Sequence, residues 1–287
     1  FKQKTAYEIR LSLVGSEMCI RDSLKHYTAC CVDGHFMTMR IEWRGSTNKL
    51  PHGATALVAF PGVGNIGKMA VDSICELHES VELVRLHPVG LPPHAHLDED
   101  GLLAPPHLTV RQIQTPSGVP LITLTGKTQP TEPSQQSVLA GELMSFFQDQ
   151  GVATVLVLAG MFDKPENKET FAVASSASLR IDMEALGVDV RRDKPRSGAV
   201  GMPALLASMG PLFELNSACV IATSVGSSAD IMGSQRVIEH LEGRIGFGLT
   251  VPTNGGEWLR EKLEAIAPSV KEDLVKEMTG THDAFYM

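Results

Sequence analysis

Tyrosine is scarce in this chain, with three in 287 residues, and tryptophan scarcer, with two. Cysteine is also sparse: five are present, none in a C-x-x-C pair and none at a spacing that would gather ligands on zinc. Cys30 and Cys31 are adjacent, while Cys75 and Cys219 stand alone in apolar surroundings. That pattern predicts free thiols in a reducing compartment, hence a cytoplasmic protein, rather than a disulfide frame. No run of 18 apolar residues occurs, so no transmembrane helix is expected. Basic charge is in deficit: 25 Lys and Arg face 33 Asp and Glu, for a net charge of −8. Such a chain lacks the basic face that nucleic-acid binding needs. There is no G-x-S-x-G elbow to anchor a Ser/His/Asp triad and no paired-carboxylate motif. Gly226, Ser227, Ser228 and Asp230 read as a turn and a helix cap.

The first 23 residues do not match the rest. Lys2 to Ile9 (KQKTAYEI) and Leu13 to Ser23 (LVGSEMCIRDS) back-translate onto adapters used in DNA sequencing. Residues 1–23 are therefore expected to be adapter-derived and are excluded from fold reasoning. Residues 24–39 form a leader of doubtful origin, with Met37 and Met39 as candidate starts. What remains can fill one large domain or two small ones, and the chain, at 43% apolar residues, has the material for a core.

Along that remainder, strand and helix patterns alternate. Residues 54–60 (ATALVAF) form a short apolar run typical of a buried strand, followed by a turn at Pro61, Gly62, Val63 and Gly64. Helical spacing follows over 68–78, then a strand over 81–86. Residues 88–106 are Pro-rich and read as a loop. Residues 109–114 and 119–124 predict a hairpin around Thr115-Pro116-Ser117-Gly118. A helix opens at 130–133 and runs to about 150, with Val138, Leu139, Leu143, Phe146 and Phe147 on its apolar face. Further strands are expected at 153–160, 171–174 and 218–223. A charged loop is expected at 191–203, and helices at 231–241 and 258–278. Apolar strands alternating with helices imply an α/β protein whose mainly parallel sheet is covered on both faces.

Two motifs bear on function. Gly62-Val63-Gly64-Asn65-Ile66-Gly67 is a G-x-G-x-x-G between a strand and a helix, the context of a dinucleotide site. The acid that should confirm it, at the end of the second strand, is missing: Glu82 lies at about the right distance but at that strand's beginning. The favoured reading of Pro61, Gly62, Gly64, Asn65 and Gly67 is a tight turn that needs backbone freedom. The alternative is a nucleotide- or nucleoside-dependent enzyme using that turn. His94, His96 and Asp98 alternate, with His87, Asp100 and His107 nearby, yet a Pro-rich loop gives no sign of converging ligands. No metal and no cofactor are expected.

The end of the chain is unusual. Of the three tyrosines, Tyr7 and Tyr27 lie before the patterned sequence, and the third is penultimate: Phe285-Tyr286-Met287. Residues 280–284 are polar and short, so the tail is expected to be mobile. An apolar-aromatic tip on such a tail suits a partner's pocket, with the α-carboxylate free to meet a cation. The alternative is a tail folded back onto its own domain.

Several stretches together resemble a known family. They are residues 57–67 (LVAFPGVGNIG), Leu91-Pro92-Pro93, residues 99–106 (EDGLLAPP), residues 124–130 (LTGKTQP) and the strand at 155–160. Over residues 50–265 the chain is similar to archaeal proteins related to proteasome assembly chaperone 2, some of which carry an older ATP-grasp-like label. That resemblance implies a three-layer α/β/α sandwich with a mixed, mainly parallel sheet of the phosphorylase and hydrolase kind. It implies no established catalytic residues. It also implies a hydrophobic-Tyr-any tail that inserts between α-subunits of the proteasome core particle, matched here by Phe285, Tyr286 and Met287. A homo-oligomer, a tetramer or pentamer, is implied as well. The His-rich loop departs from the family pattern. The expected organisation is one α/β domain at 40–256, a helical segment at 257–279 and the tail at 280–287.

Overall fold

The computed structural model describes residues 31–32, 35–36, 39–97, 100–195, 201–226 and 229–250. The helix expected at 258–278 and the tail at 280–287 lie outside these residues. A two-residue hairpin, β1 (Cys31–Val32) with β2 (His35–Phe36), precedes the main body. Then come β3 (Arg40–Trp43), β4 (Thr55–Ala59), α1 (Ile66–Leu77) and β5 (Ser80–His87). A small hairpin of β6 (His96–Leu97) and β7 (Leu103–Ala104) stands in the Pro-rich loop. After it come β8 (Leu108–Ile113), β9 (Leu121–Gly126), α2 (Pro133–Asp149), β10 (Thr154–Phe162) and β11 (Thr170–Ala174). The described residues end with α3 (Ala177–Ala185), α4 (Met202–Met209), β12 (Asn216–Ser224) and α5 (Ile231–Ile245).

Eight strands form one sheet in the order β11-β12-β10-β4-β9-β8-β5-β3. β12, β10, β4 and β9 pair in parallel at its centre. β11 at one side, and β8, β5 and β3 at the other, pair antiparallel. β4, β5, β9, β10 and β12 therefore run one way and β3, β8 and β11 the other, giving the mixed, mostly parallel sheet that the sequence predicts.

The pleat splits the core in two. In β4, Ala56 and Val58 point to the side of α2 and α4, where Leu139, Leu143, Phe147 and Leu206 pack. Leu57 and Ala59 point the other way, towards Ile66, Val71 and Ile74 of α1, Leu179 of α3 and Val237 and Leu241 of α5. With helices on both faces, a central strand must be apolar at successive positions. This is why residues 54–60 read as a continuous run rather than an alternation. The result is a three-layer α/β/α sandwich.

Most elements fall where the sequence puts them, with some differences. The stretch at 88–106, expected as a loop, carries the short β6–β7 hairpin. Val138 is 46% exposed, whereas Leu139, Leu143, Phe146 and Phe147 are buried; residue 138 sits one position, about 100°, off their stripe. Helices α3 and α4 were not anticipated. Both are short, with nine and eight residues, and α4 carries Pro203 in its first turn, where proline costs nothing. β3 was not anticipated either: it is an edge strand of four residues. Met39, at the border drawn for the leader, is buried in the core.

The cap expected at Asp230 is present: its carboxylate accepts from Gly233 N–H at 2.7 Å and opens α5. Asp230→Ala is expected to cost about 1 kcal/mol, read as a lower urea midpoint at unchanged slope.

Candidate functional site

The sheet's parallel centre leaves a crevice beyond the carboxyl ends of β4 and β10, where ligands sit in open α/β folds. It has a volume of about 280 Å³ and is lined by Phe60, Val63, Met161, Phe162, Met202 and Ile221 among others. A second hollow, of about 530 Å³, adjoins it along α4 and shares Ala204, Cys219 and Ile221. None of the described side chains lining either hollow carries a charge. The Cys219 thiol is pushed up to about 12 by burial, so it is no nucleophile at neutral pH. Phe162, which lines the crevice, is more than half exposed, as are Val225 and Met232. Phe162 and Val225 lie at the ends of neighbouring strands, since Phe162 pairs with Ser224. Such a surface suits an apolar partner group better than a phosphate or a reacting carbonyl.

Gly62, Val63, Ile66 and Gly67 form part of the wall of this crevice. Val63 to Asn65 make a single 3-10 turn with Gly64 at φ +62° and Asn65 at φ +48°. Asn65 Oδ1 accepts from Gly62 N–H at 3.3 Å. Gln129 ties the turn down, donating to the Pro61 carbonyl at 2.8 Å. Gly64 is buried, with Asp230 and Ser224 packed so close that a Cβ would stand 3.0 Å and 3.1 Å from them. Gly67 lies on β10, where a Cβ would fall 2.0 Å from the Leu158 carbonyl oxygen. These glycines thus serve a tight turn and close packing of α1 on the sheet.

Among the described residues the dinucleotide reading gains no support. The turn packs against Asp230, whose N–H donates to the Gly64 carbonyl at 2.8 Å and whose carboxylate is taken up by the Gly233 N–H. Glu82 is three strands away from β4 and is occupied by Arg85 at 2.6 Å and Arg111 at 3.3 Å.

The histidine loop does come together. The His107 ring lies 5.6 Å from that of His87 and 5.7 Å from that of His96, which is 6.1 Å from His94. His87 Nε2 meets Glu42 at 3.1 Å, and His107 Nδ1 meets the Pro105 carbonyl at 2.8 Å. Among the described residues no group of three His, Cys, Asp or Glu is arranged to hold a metal; Asp98 lies outside them. Burial tends to raise the Glu42 carboxyl, but hydrogen bonds from His87 and Arg44 outweigh it and hold the group below its usual range.

The imidazoles set a pH dependence. Burial, more than any neighbouring charge, holds His78, His96, His107 and His240 below the ordinary imidazole range. The unfolded chain takes up these protons at about pH 6.5 while the folded chain resists them. The contribution is therefore complete above that pH and is lost as pH falls below it. Urea midpoints at pH 5.5 are expected to lie below those at pH 7.5, and His107→Gln should narrow the gap. Equal midpoints at both pH values would contradict this.

The crevice residues Met161, Phe162, Met202 and Ile221 went unnoticed in the sequence. The one available signal was Phe162, a bulky apolar side chain closing a strand just before Asp163-Lys164-Pro165. Phe285, Tyr286 and Met287 lie outside the described residues.

Comparison with known proteins finds the same fold. The fold is similar to that of a Pyrococcus furiosus archaeal proteasome activator, PbaB, at a TM-score of 0.67 and 18% identity, covering 82% of this chain and 99% of that one. It is also similar to P. furiosus PbaA, an archaeal homologue of proteasome-assembly chaperone, at 0.63 and 19%, covering 83% and 96%. A Mycobacterium tuberculosis proteasome-assembly chaperone homologue matches at 0.56 and 16%, covering 75% and 95%. An uncharacterized protein of Methanocaldococcus jannaschii is 22% identical over 186 residues, 65% of this chain and 71% of that one. The family model for PAC2 matches residues 56–272, about three quarters of the chain, and the chain belongs to the PAC2 family.

Proposed function

We propose that this protein is a proteasome assembly chaperone or activator that binds the α-ring of the core particle through Phe285, Tyr286 and Met287. The observation that carries the reading is the family match over residues 56–272, beyond which Phe285, Tyr286 and Met287 supply an apolar residue followed by the one tyrosine after residue 27. The names of the solved relatives support the same direction, since they include a proteasome activator and proteasome-assembly chaperone homologues. In this reading the α/β domain at 40–256 is the body, 257–279 a helical connector and 280–287 the docking tail. The tail carboxylate pairs with a cation in a pocket between α-subunits. Tyr286 fills that pocket and hydrogen-bonds at its rim, and Phe285 buries apolar area.

One three-residue tail binds weakly, because ordering and association oppose it. Several tails on one body raise avidity by about 10²–10⁴. The reading therefore includes a homo-oligomer, a tetramer or pentamer, acting in the cytoplasm. The exposed Phe162, Val225 and Met232 beside an uncharged crevice offer apolar surface of the sort such contacts use. Catalysis is not part of the proposal, because the crevice presents no charged side chain to reacting atoms among the described residues. The test is binding of the full chain to purified core particle, alongside light scattering for its mass. A monomer that binds no core particle would overturn both parts.

A further inference from the structure

On the far side of the sheet edge lies a cleft unrelated to the crevice. It is about 520 Å³ in volume and is lined by Lys168 and Thr170 at the start of β11, and by Arg236, Glu239, His240, Gly243 and Arg244 of α5. The five helix positions fall at i, i+3, i+4, i+7 and i+8, a single stripe along one face of α5. Within the stripe Gly243 has no side chain, and a Cβ there would meet nothing within 4 Å.

Three polar atoms of residues that line this cleft are buried beneath its surface and lack a protein partner: Thr170 Oγ1, Arg236 Nε and His240 Nε2. The Arg236 side chain is held in place, since its Nη2 donates to the Thr223 carbonyl at 2.7 Å. Its Nε–H can only donate, so it lacks an acceptor. Nearby acids are already engaged: Glu169 with Lys194 at 2.6 Å, Asp189 with Arg191 at 2.8 Å and Glu184 with Arg192 at 3.0 Å. Glu239, the one acid lining the cleft, accepts from Gln235 at 2.9 Å. Among the described residues no ion pair involves Lys168, Arg236 or Arg244. Three cations against one carboxylate, in a chain of net charge −8, make a local site for an acceptor-rich anion.

We propose that this cleft binds a phosphate group, either free phosphate or a phosphate monoester. Such a dianion brings only the acceptors that the guanidinium and ammonium groups need. The cleft is open, so an ester need not be stripped from its carrier.

The test is calorimetric titration of the full chain at constant ionic strength with inorganic phosphate and, separately, with phosphoserine. Saturable binding is expected, weakened at least about tenfold by Arg236→Gln and by the pair Lys168→Gln/Arg244→Gln, since a hydrogen bond to a charged group is worth roughly that factor or more. Arg192→Gln, an exposed change outside the cleft, should bind as the original does. Binding of phosphate alone would assign the free ion, and binding of both would assign the ester as well. Should Arg236→Gln fail to fold, the double variant still decides, because Lys168 and Arg244 are exposed. No saturation with either probe, or equal binding by the double variant, would overturn the proposal.

Discussion

Removing Phe285, Tyr286 and Met287 is expected to reduce binding to purified core particle at least about a hundredfold. The size of the effect follows from multivalency. If each body carries four or five tails, their joint attachment gains about 10²–10⁴ over a single tail, and deletion removes every tail at once. Tyr286→Phe should have a smaller effect. It keeps the ring and loses one hydroxyl, whose net hydrogen bond is worth about 1 kcal/mol, repeated at each engaged tail. Surface-immobilised core particle and a concentration series of each variant would read both effects. The proposed tail mechanism fails if the truncated chain binds as tightly as the full one. In that case the exposed apolar surface around Phe162 becomes the first place to look.

The largest expected effect on stability is at Gly67 and Gly160. A Cβ at Gly67 would fall 2.0 Å from the Leu158 carbonyl oxygen, and one at Gly160 would fall 2.2 Å from that of Val63. Both obstacles are backbone, so no side-chain rotation can relieve them. Overpacking a well-filled core costs about 1–3 kcal/mol and occasionally more; at these rigid contacts Gly67→Ala and Gly160→Ala should each reach about 3 kcal/mol. For a domain of this size that is a fall in Tm of about 6–12 °C. Gly243→Ala provides the contrast. It lies within α5 with open space around it, so it should stabilise by about 0.5–1 kcal/mol through helix propensity alone. Thermal unfolding of the three variants side by side distinguishes packing from propensity. An unchanged Tm in Gly67→Ala would mean that α1 does not rest on β10 this closely.

The same contacts explain what could be read in advance and what could not. Local pattern was enough for the central strands, because burial on both faces makes residues 56–60 and 155–158 continuously apolar wherever their partners are. It was enough for α2, whose stripe of Leu139, Leu143, Phe146 and Phe147 repeats at the helical period, and for the Asp230 cap, which depends on residues three apart. The scarcity of tyrosine and its place at the end are likewise properties of the chain itself. Strand order and pairing are not: β5 follows α1 in sequence but lies three strands from β4, which is why Glu82 could be considered beside the glycine turn until the sheet separated them. The reason for Gly67 also came from the tertiary structure, because Leu158 is distant in sequence and meets it only when α1 docks on β10. The crevice and the basic cleft follow the same rule. Each assembles side chains from elements far apart in the chain, and a cavity or an unpaired donor exists only once those elements have packed.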